Sequence, residues 1–181
     1  MGGSLQFEEI WDVIGRRPEY KDIKNFVETG TYKGDTTLMA SEHFSKVYTT
    51  EIVPALHEGS RKRAEEKGVK NITFLLGDSV KLLSEIMPNV SEGAVFFLDA
   101  HQSGGDTSNN GKNVPIYEEL DTILSFPLGK SLFIIDDVRL WKQRCWDWNH
   151  ISGSQIVKKL IEKGRKVLAY FEKNDRFFIV S

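Results

Sequence analysis

Six carboxylates stand out in this sequence by where they fall: Glu28, Glu51, Asp78, Asp99 and the pair Asp136-Asp137. Each ends or immediately follows a short, apolar, β-rich run. One such residue is commonplace as the cap of the next helix, where its oxygen accepts a free backbone N–H. Repetition at every run points further. Acidic side chains gathered at one edge of a sheet can hold ribose hydroxyls, take up protons or ligate a hard cation such as Mg²⁺. Glu28 leads into Thr29-Gly30-Thr31-Tyr32-Lys33-Gly34, a turn whose glycines allow close approach to a ligand and whose following helix offers free N–H groups. Asp99 leads into His101, whose imidazole titrates near neutrality and suits a general base, with His150 as the second candidate for that role. Residues 138–150 hold Trp141, Trp146 and Trp148 among Arg139, Lys142 and Arg144. Exposed indoles beside hydroxyl-binding carboxylates would stack on the apolar face of a sugar; alternatively they cover a sheet edge.

Residues so placed need elements to align them. The chain alternates β-rich runs with helical patterns, the signature of a parallel sheet flanked by helices. Strands are expected near 23–28, 46–51, 72–76, 94–99 and 131–136, and a closing hairpin at 166–171 and 176–180 around Asn174-Asp175. Helices are expected over 5–14, 35–43, 54–68, 79–87, 115–125 and 154–163. Val95-Phe96-Phe97-Leu98 is continuously apolar, as in a strand covered on both faces. Ligands of such open sheets bind at the carboxyl ends of the strands, which is where the carboxylates fall. Residues 102–113 are too polar and glycine-rich to pack, and are expected to be a lid or a solvated excursion.

The turn Glu28 to Gly34, the acidic Glu51 ending the second strand, the acidic Asp78 after the third and the final hairpin together resemble the class I S-adenosylmethionine (SAM)-dependent methyltransferases, over nearly the whole chain from Ile23 to Val180. The resemblance implies an α/β, Rossmann-like, seven-stranded and mostly parallel sheet with helices on both faces. It implies that Glu28, Gly30 and Gly34 line the methionine moiety, with Thr29 and Thr31 in the same turn and Asp99 nearby. Glu51 would hold the ribose, and Gly77, Asp78 and Ser79 the adenine. Thr29 and Tyr32 stand where the commoner G-x-G-x-G form has small residues. A dinucleotide dehydrogenase fits less well: its turn packs three glycines around a pyrophosphate, and here Glu28 would face that group with like charge.

Base-methylating enzymes usually carry Asn/Asp-Pro-Pro-aromatic after the fourth strand, where this chain has Asp99-Ala100-His101. O-methylation of a sugar or glycan hydroxyl is therefore expected, with a catechol or phenol as the alternative acceptor. Asp99, Asp136 and Asp137 are expected to ligate Mg²⁺ or a similar cation, as in metal-dependent sugar- and catechol-type O-methyltransferases; otherwise Asp99 positions the methionine amino group. A non-catalytic SAM-fold binding module is the alternative from another class, and it predicts decay of the carboxylate cluster, which this sequence does not show.

Composition sets the outer limits. In 181 residues, 24 Lys plus Arg against 26 Asp plus Glu give a net charge of −2, which argues against a nucleic-acid partner held by phosphate neutralisation. A single cysteine, Cys145, excludes an internal disulfide framework and favours a reducing, cytoplasmic compartment. No apolar run is long enough to cross a bilayer. Residues 1–4 read as a cloning scar and 5–181 as one domain, with a place as one module of a longer glycan-modifying polypeptide as the accompanying expectation.

Overall fold

The computed structural model describes residues 4–100, 114–143 and 148–181. Strands β1 (Asn25–Thr29), β2 (Lys46–Glu51), β3 (Ile72–Leu76), β4 (Val95–Leu98), β5 (Leu132–Ile135), β6 (Ala169–Lys173) and β7 (Arg176–Val180) form one sheet in the order 3-2-1-4-5-7-6. The first five are parallel, and β7 runs antiparallel to both β5 and β6. The helices are α1 (Phe7–Ile14), α2 (Asp35–His43), α3 (Pro54–Glu66), α4 (Ser79–Ile86), α5 (Ile116–Ile123), α6 (Val138–Lys142) and α7 (Gly153–Glu162). The strand order reverses between β1 and β4, and the carboxyl ends of these two strands flank the crevice that such a reversal creates.

Alternation along the strands divides the core into two layers. Phe26, Val95, Phe97, Ile134 and Phe178 pack with α1 and α2, while Val27, Phe96, Leu98, Phe133 and Phe177 pack with α4, α5 and α7. Both layers are buried, which is why β4 reads as unbroken apolar sequence. Among the described residues, no helix is long and apolar enough to cross a membrane.

The expected elements form, with three informative shifts. β1 begins two residues later than expected and ends one residue later, so Thr29 pairs with Thr50 and Leu98 and Glu28 lies inside the strand rather than at its end. β6 begins at Ala169, not 166, because the turn at Asn174 (φ 51°) and Asp175 (φ 67°) sets Lys173 opposite Arg176, and Ala169 then meets Val180, the last residue of β7. Part of 138–150, expected as a loop, is helical: Asp137 (φ 60°) turns the chain into α6.

Candidate functional site

The strand register builds the site. Glu28 pairs with Thr49 and Phe97, Phe97 with Ile134, and Ile134 with Phe178. Two residues further along each strand, the same row carries Glu51, Gly30, Asp99, Asp136 and Arg176 to the carboxyl edge, on the α1/α2 side of the sheet. Glu28 lies one step deeper.

The first turn is folded back tightly on its neighbours. The Gly30 and Thr31 N–H groups both donate to Thr50 O (3.0 and 3.1 Å), and the Thr31 and Thr49 hydroxyls meet at 2.6 Å. Gly30 has φ +85°, and a Cβ there would stand 2.7 Å from the Asp99 carbonyl oxygen. Only glycine lets the ends of β1 and β4 approach this closely. Gly34, also left-handed, caps α2, and its Cβ would meet Ser60 Cβ at 3.0 Å. Beneath the turn Glu28 is fully enclosed, and its Oε2 accepts hydrogen bonds from the hydroxyls of Thr37 on α2 and Thr49 on β2. Burial pushes its pKa up to about 8 against the pull of those hydroxyls, with Asp99 and Glu51 adding like charge. Glu28 is therefore an internal, neutral brace joining β1, β2 and α2 at neutral pH, and not an exposed wall of the turn.

Glu51 ends β2 with both oxygens engaged: Oε2 accepts the Tyr32 N–H at 2.8 Å and Oε1 the Val53 N–H at 2.9 Å. A carboxylate has about four lone-pair directions, so acceptor capacity remains for hydroxyls. Gly77 (φ +144°) donates to Glu51 O at 2.8 Å, which brings the β3 turn beside β2. Asp78 caps α4 by accepting the Val80 N–H at 2.9 Å. Ser79 is buried, and its hydroxyl donates at 2.5 Å to Glu119 on α5.

Glu119 is the residue that sequence reasoning missed. It is wholly inaccessible, on the stripe of α5 that also carries Ile116, Leu120 and Ile123 into the core. Burial raises its pKa to about 7, opposed by the Ser79 and Thr29 hydroxyls and reinforced by Asp78 and Asp99. A glutamate on an otherwise apolar helical stripe was the available signal.

At the other side of the crevice, half-buried Asp99 donates its N–H to Thr29 O at 3.1 Å. Its neighbour Asp136 is buried, and its pKa is raised to about 7, first by desolvation and then by the Asp99 charge, against the attraction of Arg176. Arg176 Nε lies 3.4 Å from Asp136 Oδ1, and Arg176 Nη1 donates to both oxygens of Glu9 on α1 (3.1 and 2.9 Å). Asp137 faces elsewhere: its carboxylate pairs with Arg139, which also binds Asp175 in the hairpin.

These pairings lend the expected Mg²⁺ site no support. Asp137 and Asp136 are each turned toward a guanidinium, and among the described residues no group of three or more His, Cys, Asp and Glu side chains is placed to hold a metal ion. The aromatic wall is corrected. Trp141 packs edge-on against Phe177 with ring centroids 5.9 Å apart, and both it and Trp148 belong to the core on the α4/α5/α7 side. His150 is exposed on that side, its ring 5.9 Å from Tyr117. His101 and Trp146 lie outside the described residues.

No protein-family model matches the chain. It is similar to curated proteins named as uncharacterized RNA methyltransferases: 31% identical over 93 residues in Clostridium tetani, and 27% over 103 residues in Fusobacterium nucleatum. These matches cover 50% and 57% of this chain but only 20% and 22% of those proteins, so the chain spans about a fifth of the length of the curated relatives it matches. Among solved structures, the O-methyltransferase TomG of Streptomyces achromogenes, determined with SAM, superposes with TM-score 0.62 at 18% identity, covering 95% of this chain and 78% of that one. An O-methyltransferase from Bacillus cereus gives 0.58 at 19% identity (87% and 74% covered), and an rRNA methylase from Streptococcus thermophilus 0.57 at 15% (98% and 95%). The fold is that of the class I SAM-dependent methyltransferases.

Proposed function

We propose that this chain is a SAM-dependent methyltransferase acting on a hydroxyl of a small acceptor, a sugar or glycan terminus or a catechol-like phenol. The observation that carries the cofactor assignment is the row Glu51, Gly30, Asp99 at the strand reversal, with Gly30 pressed so closely on Asp99 that no side chain fits. This gives a smooth cradle over the N-terminus of α2, flanked by a carboxylate able to accept ribose hydroxyls. Glu51 would hold the ribose, Asp78 and Ser79 the adenine edge, and Asp99 the methionine ammonium. When bound, SAM supplies an electrophilic sulfonium methyl group. The protein's part is to orient an acceptor oxygen in line with that methyl and to receive its proton.

Asp136 is the described residue suited to receive that proton: it lies beside Asp99 at the mouth of the crevice, and its pKa, raised to about 7, suits exchange at neutrality. His101, two residues beyond Asp99, is the other proposed base. The proposed step needs no metal, because the guanidiniums of Arg176 and Arg139 already compensate the β5 carboxylates. With Trp141 and Trp148 in the core, neither separates a sugar from a phenol by stacking. RNA is the second acceptor class, favoured by the names of the curated relatives and opposed by the net charge of −2.

Calorimetric titration with SAM and S-adenosylhomocysteine tests the assignment, and absence of binding at millimolar cofactor refutes it. Methyl-labelled SAM offered with methyl glycosides, catechol and total RNA then separates the acceptor classes, with and without EDTA.

A further inference from the structure

Two polar atoms sealed inside the α4/α5 layer point beyond those assignments. Thr29 Oγ1, at the end of β1, and Glu119 Oε2, on α5, are both buried, and neither completes a hydrogen bond with any described residue. The two residues are nevertheless near enough for the Thr29 hydroxyl to act on the Glu119 carboxyl. The other Glu119 oxygen receives the Ser79 hydroxyl at 2.5 Å, at the first residue of α4. An ionised glutamate here would be sealed from water beside the like charges of Asp78, on the β3–α4 turn, and Asp99, at the end of β4, with only the Ser79 and Thr29 hydroxyls to solvate it. A proton on Oε2 removes that charge and gives Thr29 Oγ1 a donor, so one proton satisfies both unpaired atoms.

We infer that Glu119 is a positioning residue for the cofactor: as a carboxylic acid it ties the end of β1, through Thr29, to the first turn of α4, through Ser79, and so fixes the two walls between which the adenosyl group is held. This rests on the cofactor site proposed above. Glu119 is wholly inaccessible and touches no ligand itself; it acts through Ser79 and Thr29. Loss of its proton places a charge in this sealed site beside the like charges of Asp78 and Asp99, with only two hydroxyls to hold it, and that repulsion loosens the adenine edge. Cofactor affinity therefore falls as Glu119 ionises, in the pH range where burial has placed its titration, about 7.

The test is the dissociation constant of S-adenosylhomocysteine for the wild type and for Glu119→Gln, an uncharged mimic of the protonated acid, measured by calorimetry at pH 6 and pH 8. Other titrating groups affect both proteins alike, so the informative quantity is the wild-type Kd divided by the variant Kd. That ratio is expected to be near 1 at pH 6 and to rise toward about tenfold at pH 8, the limit for one group titrating near the midpoint of that interval. An unchanged ratio overturns the inference. Circular dichroism checks that Glu119→Gln folds. If it does not, Thr29→Val serves instead: removing a hydroxyl that favours the ionised form should move the wild-type decline in affinity to higher pH, and a superimposable pH profile overturns the inference equally. A wild type that binds no cofactor at either pH refutes the SAM assignment itself, a result distinct from binding with a flat ratio.

Discussion

Replacing Gly30 by alanine separates two costs that glycine avoids, and Gly68 provides the internal control. Both residues are left-handed, with φ +85° and +70°. An alanine in that conformation costs roughly 1–2 kcal/mol at either site. At Gly68, the residue after the last turn of α3, an added Cβ meets nothing within 4 Å, so the conformational cost is the whole effect. At Gly30 the Cβ would also stand 2.7 Å from Asp99 O, 3.0 Å from Asp99 C and 3.1 Å from Ala100 N. These are backbone atoms, and they have little freedom to move aside: Asp99 N–H is bonded to Thr29 O, and Asp136 N–H to Leu98 O. Forcing a methyl group into a packed site costs about 1–3 kcal/mol more. Gly30→Ala should therefore lose about 2–5 kcal/mol and Gly68→Ala about 1–2 kcal/mol in urea unfolding. For a chain of this size each kcal/mol corresponds to about 2–4 °C in Tm. S-adenosylhomocysteine affinity should drop only in Gly30→Ala. Equal destabilisation by the two variants would show that the β1 and β4 ends are not packed as tightly as described, and the cradle would go with that packing.

Three further outcomes follow from buried charge and packing. Glu28 holds its proton up to about pH 8 in the folded chain against an ordinary value of 4.5, so its contribution to stability is complete below the ordinary carboxylate range and is lost as pH rises toward 8. The slope is at most about 1.4 kcal/mol per pH unit. Urea midpoints from pH 5 to 8 should fall more steeply for the wild type than for Glu28→Gln, and parallel curves would refute the buried-acid assignment. Glu9→Ala removes both acceptors of Arg176 Nη1 and leaves the buried guanidinium with a weaker set of partners that includes Asp136, which should cost about 3–5 kcal/mol, part of which Glu9→Ala with Arg176→Met should recover in a double-mutant unfolding cycle. Trp141→Ala should cost about 3–5 kcal/mol if the indole is core, whereas an exposed stacking platform would lose almost nothing.

The sheet was legible because its signals are local. The continuous apolar run of β4, the glycine that ends α3 and the Asn174-Asp175 turn each report their own conformation. The carboxyl-edge acids were legible for the same reason, since parallel strands bring their ends to one side. What the sequence did not show was which way each side chain points and what it meets there. Asp136 and Asp137 are adjacent in sequence and looked like a matched ligand pair, yet the left-handed backbone at Asp137 sends one carboxylate to Arg139 and leaves the other by Arg176. Trp141 and Trp148 were open to two readings, an exposed stacking surface or the cover of a sheet edge. The helical turn of α6 instead presents Val138 and Trp141, three residues apart, to the core.

Strand parity explains how one crevice can hold so many acids. Glu28, Asp99 and Asp136 share the α1/α2 side, where three carboxyls packed together could not all remain charged. Burial and mutual repulsion keep Glu28 protonated at neutral pH and lift Asp136 to about 7, while Arg176, brought from β7 by the antiparallel register and anchored on Glu9, offsets part of the remaining charge. Thr29, one residue from Glu28, falls on the opposite side and meets Glu119, which is also drawn toward neutrality. Glu51 and Asp99 lie at the carboxyl edge on either side of Gly30, at the ends of β2 and β4. A cationic, hydroxyl-bearing ligand such as the proposed SAM is suited to carboxyl groups at that edge with the protonated Glu28 beneath them. Uniform ionisation of all the acids would instead drive the walls of the crevice apart.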